Sequence, residues 1–145
     1  MTHEYEGRYR AKHDPHTPLD PTLARLIRDK SKEGRLTCAA AFAIAKEAGA
    51  SPADVGQAAD LLETKITGCQ LGLFRHGQGR GWVARSAQNV PDQLEEAFRT
   101  RAVNGRLPCA AAWELAKQFD LPKTDVTAAC ENLKIRVGPC QLGVF

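Results

Sequence analysis

Four cysteines form one pair written twice. Cys38 and Cys69 recur as Cys109 and Cys140, an offset of 71 residues in both cases. Thiolates ligate zinc and iron, and two neighbouring thiols interconvert with a disulfide. Cys38 and Cys109 each follow a residue suited to a helix start, Thr37 or Pro108, and a helix N-terminus favours the thiolate. Two chemistries are therefore open: a redox pair within each copy, or a zinc or iron site built from all four thiolates. The CxxC spacing that marks many zinc sites is missing. Cys38 and Cys109 also share an apolar stripe with Phe42 and Trp113, which favours a third reading, four small buried side chains and no cofactor. Cys130 falls on an apolar helix face and reads as core.

The second chemistry is cationic. The stretch "RHGQGRGWVARSAQNVP" contains Arg75, Arg80 and Arg85 and no acid. Such a run can neutralise phosphates, with little sequence preference. With "LGLF" before it and "WVAR" inside it, the stretch reads as a β-hairpin with a Gly-rich tip; the alternative is a basic linker. Catalysis has no comparable signature. His3, His13, His16 and His76 lie in the N-terminal segment or the loop, no HExxH, GxGxxG or P-loop occurs, and "GQGRG" lacks a strand-loop-helix setting. A non-enzymatic protein is expected.

The elements that position these residues come from a duplication. Residues 20–74 align with 91–145 without a gap, and twenty of the 55 pairs are identical. "GRLTCAAAFAIAK" matches "GRLPCAAAWELAK", and "CQLGLF" matches "CQLGVF". Each copy reads as three helices and a closing strand. The first helix carries Leu23, Leu26 and Ile27, or Leu94, Ala97 and Phe98, and Gly34 or Gly105 is expected to stop it. The second carries Cys38, Ala41, Phe42, Ala45 and Ala48, or Cys109, Ala112, Trp113, Ala116 and Phe119. Ser51, Pro52 and Asp54 predict a capped start for the third, which carries Val55, Ala58, Ala59 and Leu62, or Val126, Ala129, Cys130 and Leu133. "KITGCQLGLF" and "RVGPCQLGVF" read as short, bent strands. Phe42 and Trp113 are expected in the cores.

Ala45, Gly49 and Val55 stand where the helix-turn-helix superfamily has a small residue, a turn glycine and a branched apolar residue. In the second copy Ala116 and Val126 hold, and Asp120, a residue tolerant of the left-handed region, replaces the glycine. Each copy thus resembles the winged form of that superfamily. The resemblance implies a mainly α fold with short β strands: two tandem winged-helix-like units, three helices plus a strand each, related by a pseudo-twofold. The expected organisation is a mobile tail over 1–19, a first unit over 20–90 with a basic wing at 75–90, and a second unit over 91–145. The second copy runs to Phe145 and leaves no room for a wing; its last strand is expected against the equivalent strand of the first copy.

Function follows as an expectation of DNA binding or transcription-associated regulation. The third helix of the first copy has three acids and no basic residue, so it is a poor groove reader, with only Ser51 and Gln57 suited to bases. In the second copy Lys123 and Thr124 are the nearest candidates. Arg25, Arg28, Arg99 and Arg101 are further basic positions. The alternatives are a protein–protein adaptor using the acidic third helix, or a redox- or metal-sensing module using the repeated thiols. The net charge of +3 is too small to decide between these. No apolar run approaches the roughly 18 residues of a membrane span, and "MTHEYEGRYRAKHDP" does not resemble a secretory signal. A cytoplasmic protein without a membrane partner is expected, in which internal symmetry makes a monomer sufficient.

Overall fold

The computed structural model describes residues 5–73 and 91–145. It is mainly helical with a few short strands. The order is α1 (Pro21–Lys30), β1 (Arg35–Thr37), α2 (Cys38–Ala48), α3 (Pro52–Leu61), β2 (Lys65–Thr67), α4 (Asp92–Arg101), β3 (Arg106–Leu107), α5 (Cys109–Gln118), α6 (Lys123–Asn132) and β4 (Arg136–Val137). A 3-10 turn, Tyr9–Lys12, precedes α1.

Both copies open in the same way. α1 leads to a two-residue hairpin turn, Glu33-Gly34, closed by Lys32 and Arg35, which exchange N–H···O bonds of 2.9 and 3.0 Å. Its counterpart is Asn104-Gly105, closed by Val103 and Arg106 at 2.7 and 3.0 Å. Both turn residues have positive φ in each case, 53° and 73° in the first and 52° and 75° in the second. That is the geometry for which Asn-Gly is suited. The two glycines therefore do not stop the helix, as expected from sequence; α1 and α4 end at Lys30 and Arg101, before the turn. The turn delivers a short strand that the periodicity did not signal. β1 pairs in parallel with β2, Leu36 opposite Ile66, and β3 pairs in parallel with β4, Leu107 opposite Val137. The last strand of each copy thus lies on its own copy's first strand, not on its equivalent in the other copy.

Helix starts follow the expected chemistry. Thr37 Oγ1 accepts from Ala40 N at 3.1 Å. Ser51 and Asp54 form a reciprocal capping box. Between α2 and α3 the chain turns at Gly49, φ 65°, and between α5 and α6 at Asp120, φ 53°. The aspartate therefore does adopt the left-handed conformation in place of glycine. Ala41, Ala45, Ala58 and Ala59 are buried, and these small side chains let α2 and α3 approach closely.

The core of the first copy contains Ile27, Leu36, Ile44 and Val55, and that of the second Phe98, Leu107, Leu115 and Val126, all at most 1% exposed. Phe42 and Trp113, expected in these cores, are only half-buried. Ile44 and Leu115, two residues on, take the inward positions, because the face of α2 and α5 that is covered lies between two possible apolar stripes.

The compact units do not follow the repeat boundaries. Unit 1 consists of Met1–Cys69 with Leu142–Phe145, and unit 2 of Gln70–Gln141. Strand pairing stops at Thr67 and Val137, so the CQLG stretches are turns rather than the strands expected. Each unit instead takes up the Leu-Gly segment that belongs in sequence to the other copy. Leu142, 2% exposed, is part of unit 1, and Leu71, 1% exposed, is part of unit 2.

Candidate functional site

In unit 1 the site is α3 and what lies on it. Asp60, on the helix, and Glu63, just after it, are both bonded by residues 9–13. Glu63, just after the helix, accepts from the backbone amides of Tyr9 and Arg10 at 2.7 and 2.8 Å. Arg10 Nη1 donates to Leu61 O at 3.3 Å. The Asp60 side chain is 11% exposed, and its carboxylate meets Lys12 Nζ at 2.9 Å and His13 Nε2 at 2.8 Å. A buried carboxylate needs such partners. Lys65 and Glu6 pair at 2.8 Å at the edge of the same segment. Residues 5–13, expected as part of a tail apart from the fold, are thus a strap along α3. Partial burial pushes the Tyr9 phenol above its ordinary range.

The same helix receives residues 142–145. The Leu142 carbonyl lies against Gly56: a Cβ at that position would sit 1.8 Å from the oxygen. Lys12 Nζ donates to Gly143 O at 3.2 Å. Val144 closes a cavity of about 20 Å³ with Tyr9, Lys12, Asp60, Thr64 and Ile66. That is room for one water at most.

In unit 2, α6 receives residues 70–73. The position equivalent to Gly56 is Thr127, whose hydroxyl donates to Leu71 O at 2.7 Å. Gln70 Oε1 accepts from Lys123 Nζ at 3.2 Å. The same ammonium lies 4.4 Å from the centre of the Trp113 ring, a cation–π contact. A Cβ on Gly72 would approach the Thr124 methyl to 3.3 Å. Lys123 and Thr124 are therefore engaged within the unit, and both are half-buried.

All five cysteines are described residues, and none is in a disulfide. Cys38 and Cys109 are buried first residues of α2 and α5; Cys69 and Cys140 are half-buried. Cys109 N donates to Pro139 O at 3.1 Å, and Gln141 Nε2 donates to Cys109 Sγ at 3.4 Å. Cys140 lies in sequence between these two contacts, so the chain brings the Cys109–Cys140 pair to one corner. Among the described residues no group of three or more His, Cys, Asp or Glu is placed to hold a metal ion. Cys130 is 1% exposed, and burial pushes its thiol up to about 12.

The nucleic-acid candidates divide. Arg75, Arg80 and Arg85 lie outside the described residues. The Ser51 hydroxyl is committed to Asp54 N at 3.0 Å, and Gln57 is half-buried on α3. Arg99 is held by Glu95 at 2.9 Å and Arg101 by Glu114, whereas Arg25 and Arg28 are exposed on α1. The strap and the two Leu-Gly grooves were not foreseen. The signal for the grooves was the mismatch of Gly56 with Thr127, directly after the matched Asp54-Val55 and Asp125-Val126. No helix among the described residues is long and apolar enough to cross a membrane. No family model, curated protein or solved structure matches the chain.

Proposed function

We propose that this chain is a non-catalytic nucleic-acid-binding protein with two winged-helix-like units, holding the phosphate backbone of duplex DNA through Arg75, Arg80 and Arg85. Charge placement carries this reading. Residues 74–90 contain three of the 20 Lys and Arg and none of the 17 Asp and Glu, so the rest of the chain balances at 17 against 17. The whole net charge of +3 resides in that segment. The helix, strand, helix, turn, helix, strand order of each copy supports the winged-helix-like part of the reading.

The strap on α3 supports it further. Phosphate is repelled by open acids, and two of the three acids near α3, Asp60 and Glu63, are already bonded to residues 9–13. The same fact weakens an adaptor reading in which that acidic helix meets a partner. Ala58–Leu61 and Val126–Cys130 are continuous buried runs, so α3 is exposed only in its first turn and α6 only at Asp125 and at its last two residues, Glu131 and Asn132. Ser51, Gln57, Lys123 and Thr124 would then make few base contacts, and binding is sequence-tolerant. Transcription-associated regulation is the role that such binding would serve.

A salt titration on generic duplex DNA tests the proposal. Each arginine replaced by Ala should lower the slope of log K against log salt by about 0.9, to a similar extent for every sequence. Absence of binding at low ionic strength, where phosphate attraction is strongest, would overturn it.

A further inference from the structure

The chain carries a Leu-Gly segment twice, Leu71-Gly72 and Leu142-Gly143, and in each unit the leucine lies on the third helix. In both units a Leu is almost fully buried, 2% exposed at Leu142 and 1% at Leu71. The leucine carbonyl is recognised in both: by the bare backbone of Gly56 in unit 1 and by the Thr127 hydroxyl in unit 2. A lysine adds a bond to the segment in both, Lys12 to Gly143 O and Lys123 to Gln70 Oε1. The ligand of unit 1 is joined to its groove only through unit 2, because residues 142–145 follow directly on Gln141. Every contact they make in unit 1 would be the same if they came from another molecule.

We propose that the α3 groove of unit 1 also accepts residues 142–145 of a second copy of this chain, giving a closed, reciprocally exchanged dimer. Exchange of an identical element costs little in contact energy and is governed by concentration. The intramolecular arrangement holds its advantage only through effective concentration, which is set by the connection through unit 2. The dimer is therefore favoured where local concentration is high or where chains fold together.

Complementation between two full-length variants tests this. Gly56→Val closes the groove and leaves the peptide intact; Leu142→Asp leaves the groove and spoils the peptide. Neither variant alone can form the unit 1 pair. Refolded together in equal amounts, they can form one intact pair per heterodimer. Light scattering should then give a dimer mass for the mixture and a monomer mass for each variant, with a melting temperature above either. A monomeric mixture that melts as the sum of its parts would overturn the proposal. Wild-type protein supplies a second measurement independent of how the variants fold. Unlabelled and 15N-labelled chains are unfolded, mixed and refolded at rising concentration, then read by native mass spectrometry. Mixed-isotope dimers that increase with concentration are expected, and monomers at every concentration would sink the idea.

Discussion

The carbonyl oxygen of Leu142 occupies the space that a side chain at residue 56 would need, 1.8 Å from where a Cβ of Gly56 would stand. Helix-interior glycine costs about 0.5–1 kcal/mol relative to alanine, so its presence in α3 calls for a local reason. Close approach of residues 142–145 is that reason.

Gly56→Ala should therefore destabilise the protein despite its better helix propensity. The methyl forces the Leu142 backbone outward, an overpacking cost of about 1–3 kcal/mol. At the equivalent position Thr127→Val should cost a comparable amount for another reason, loss of the donor to a buried carbonyl, about 1–3 kcal/mol. Thermal unfolding followed by circular dichroism compares the two. A stabilised Gly56→Ala protein would show that the segment does not press on α3.

Phe98 is 0% exposed, whereas Phe42 is half-buried. Phe98→Ala should cost about 3–5 kcal/mol in a denaturant titration, the range for a fully buried aromatic. Phe42→Ala should cost clearly less. Equal losses would contradict the burial difference.

Glu63→Ala removes the acceptor for the amides of Tyr9 and Arg10. Those two amides should exchange with deuterium faster than in the wild type, while amides within α2 keep their protection. Glu63→Gln, which retains an acceptor oxygen, should show a smaller effect. Unchanged exchange at residues 9 and 10 would show that the strap does not depend on this carboxylate.

Cys130 makes stability depend on alkaline pH. Its thiol titrates at about 12 when folded, against an ordinary value of 9.0. The folded state therefore keeps a proton that the unfolded state loses. The contribution is complete below pH 9.0 and is lost as pH rises toward about 12, at about 1.4 kcal/mol per pH unit. Cys130→Ala should flatten this part of the stability profile. The Cys130 thiol should also resist alkylation at neutral pH in the native protein. An unchanged alkaline slope in the variant would place the effect elsewhere.

Local chemistry was legible in the sequence and remote partnership was not. Thr37, Ser51 and Asp54 cap helices as their types and spacing imply, and Asp120 takes the turn conformation of glycine, because these effects act within one turn of chain. Asn104-Gly105 was legible too, but as the wrong signal: after an apolar helix a glycine suggests a stop, and only the exchanged bonds between Val103 and Arg106 show a hairpin. The apolar face of α2 admitted two stripes, and which one is buried depends on α1 and α3, not on α2. The partners of Asp60 and Glu63 lie about fifty residues away. The Leu-Gly segments looked like strands because they are apolar and follow β-branched residues. They leave the sheet because a groove on a helix takes them instead.

The exchange of Leu-Gly segments also sets a clock. Unit 1 is complete only with residues 142–145, which emerge 73 residues or more after Cys69. At about 5–20 residues per second, synthesis leaves roughly 4–15 s in which α3 exists without its ligand. During that interval the Gln-Leu-Gly already made, residues 70–72, is the nearest match in the nascent chain. Neighbouring ribosomes on one message hold further copies. The pace of translation thus bears on which Leu-Gly segment each groove receives.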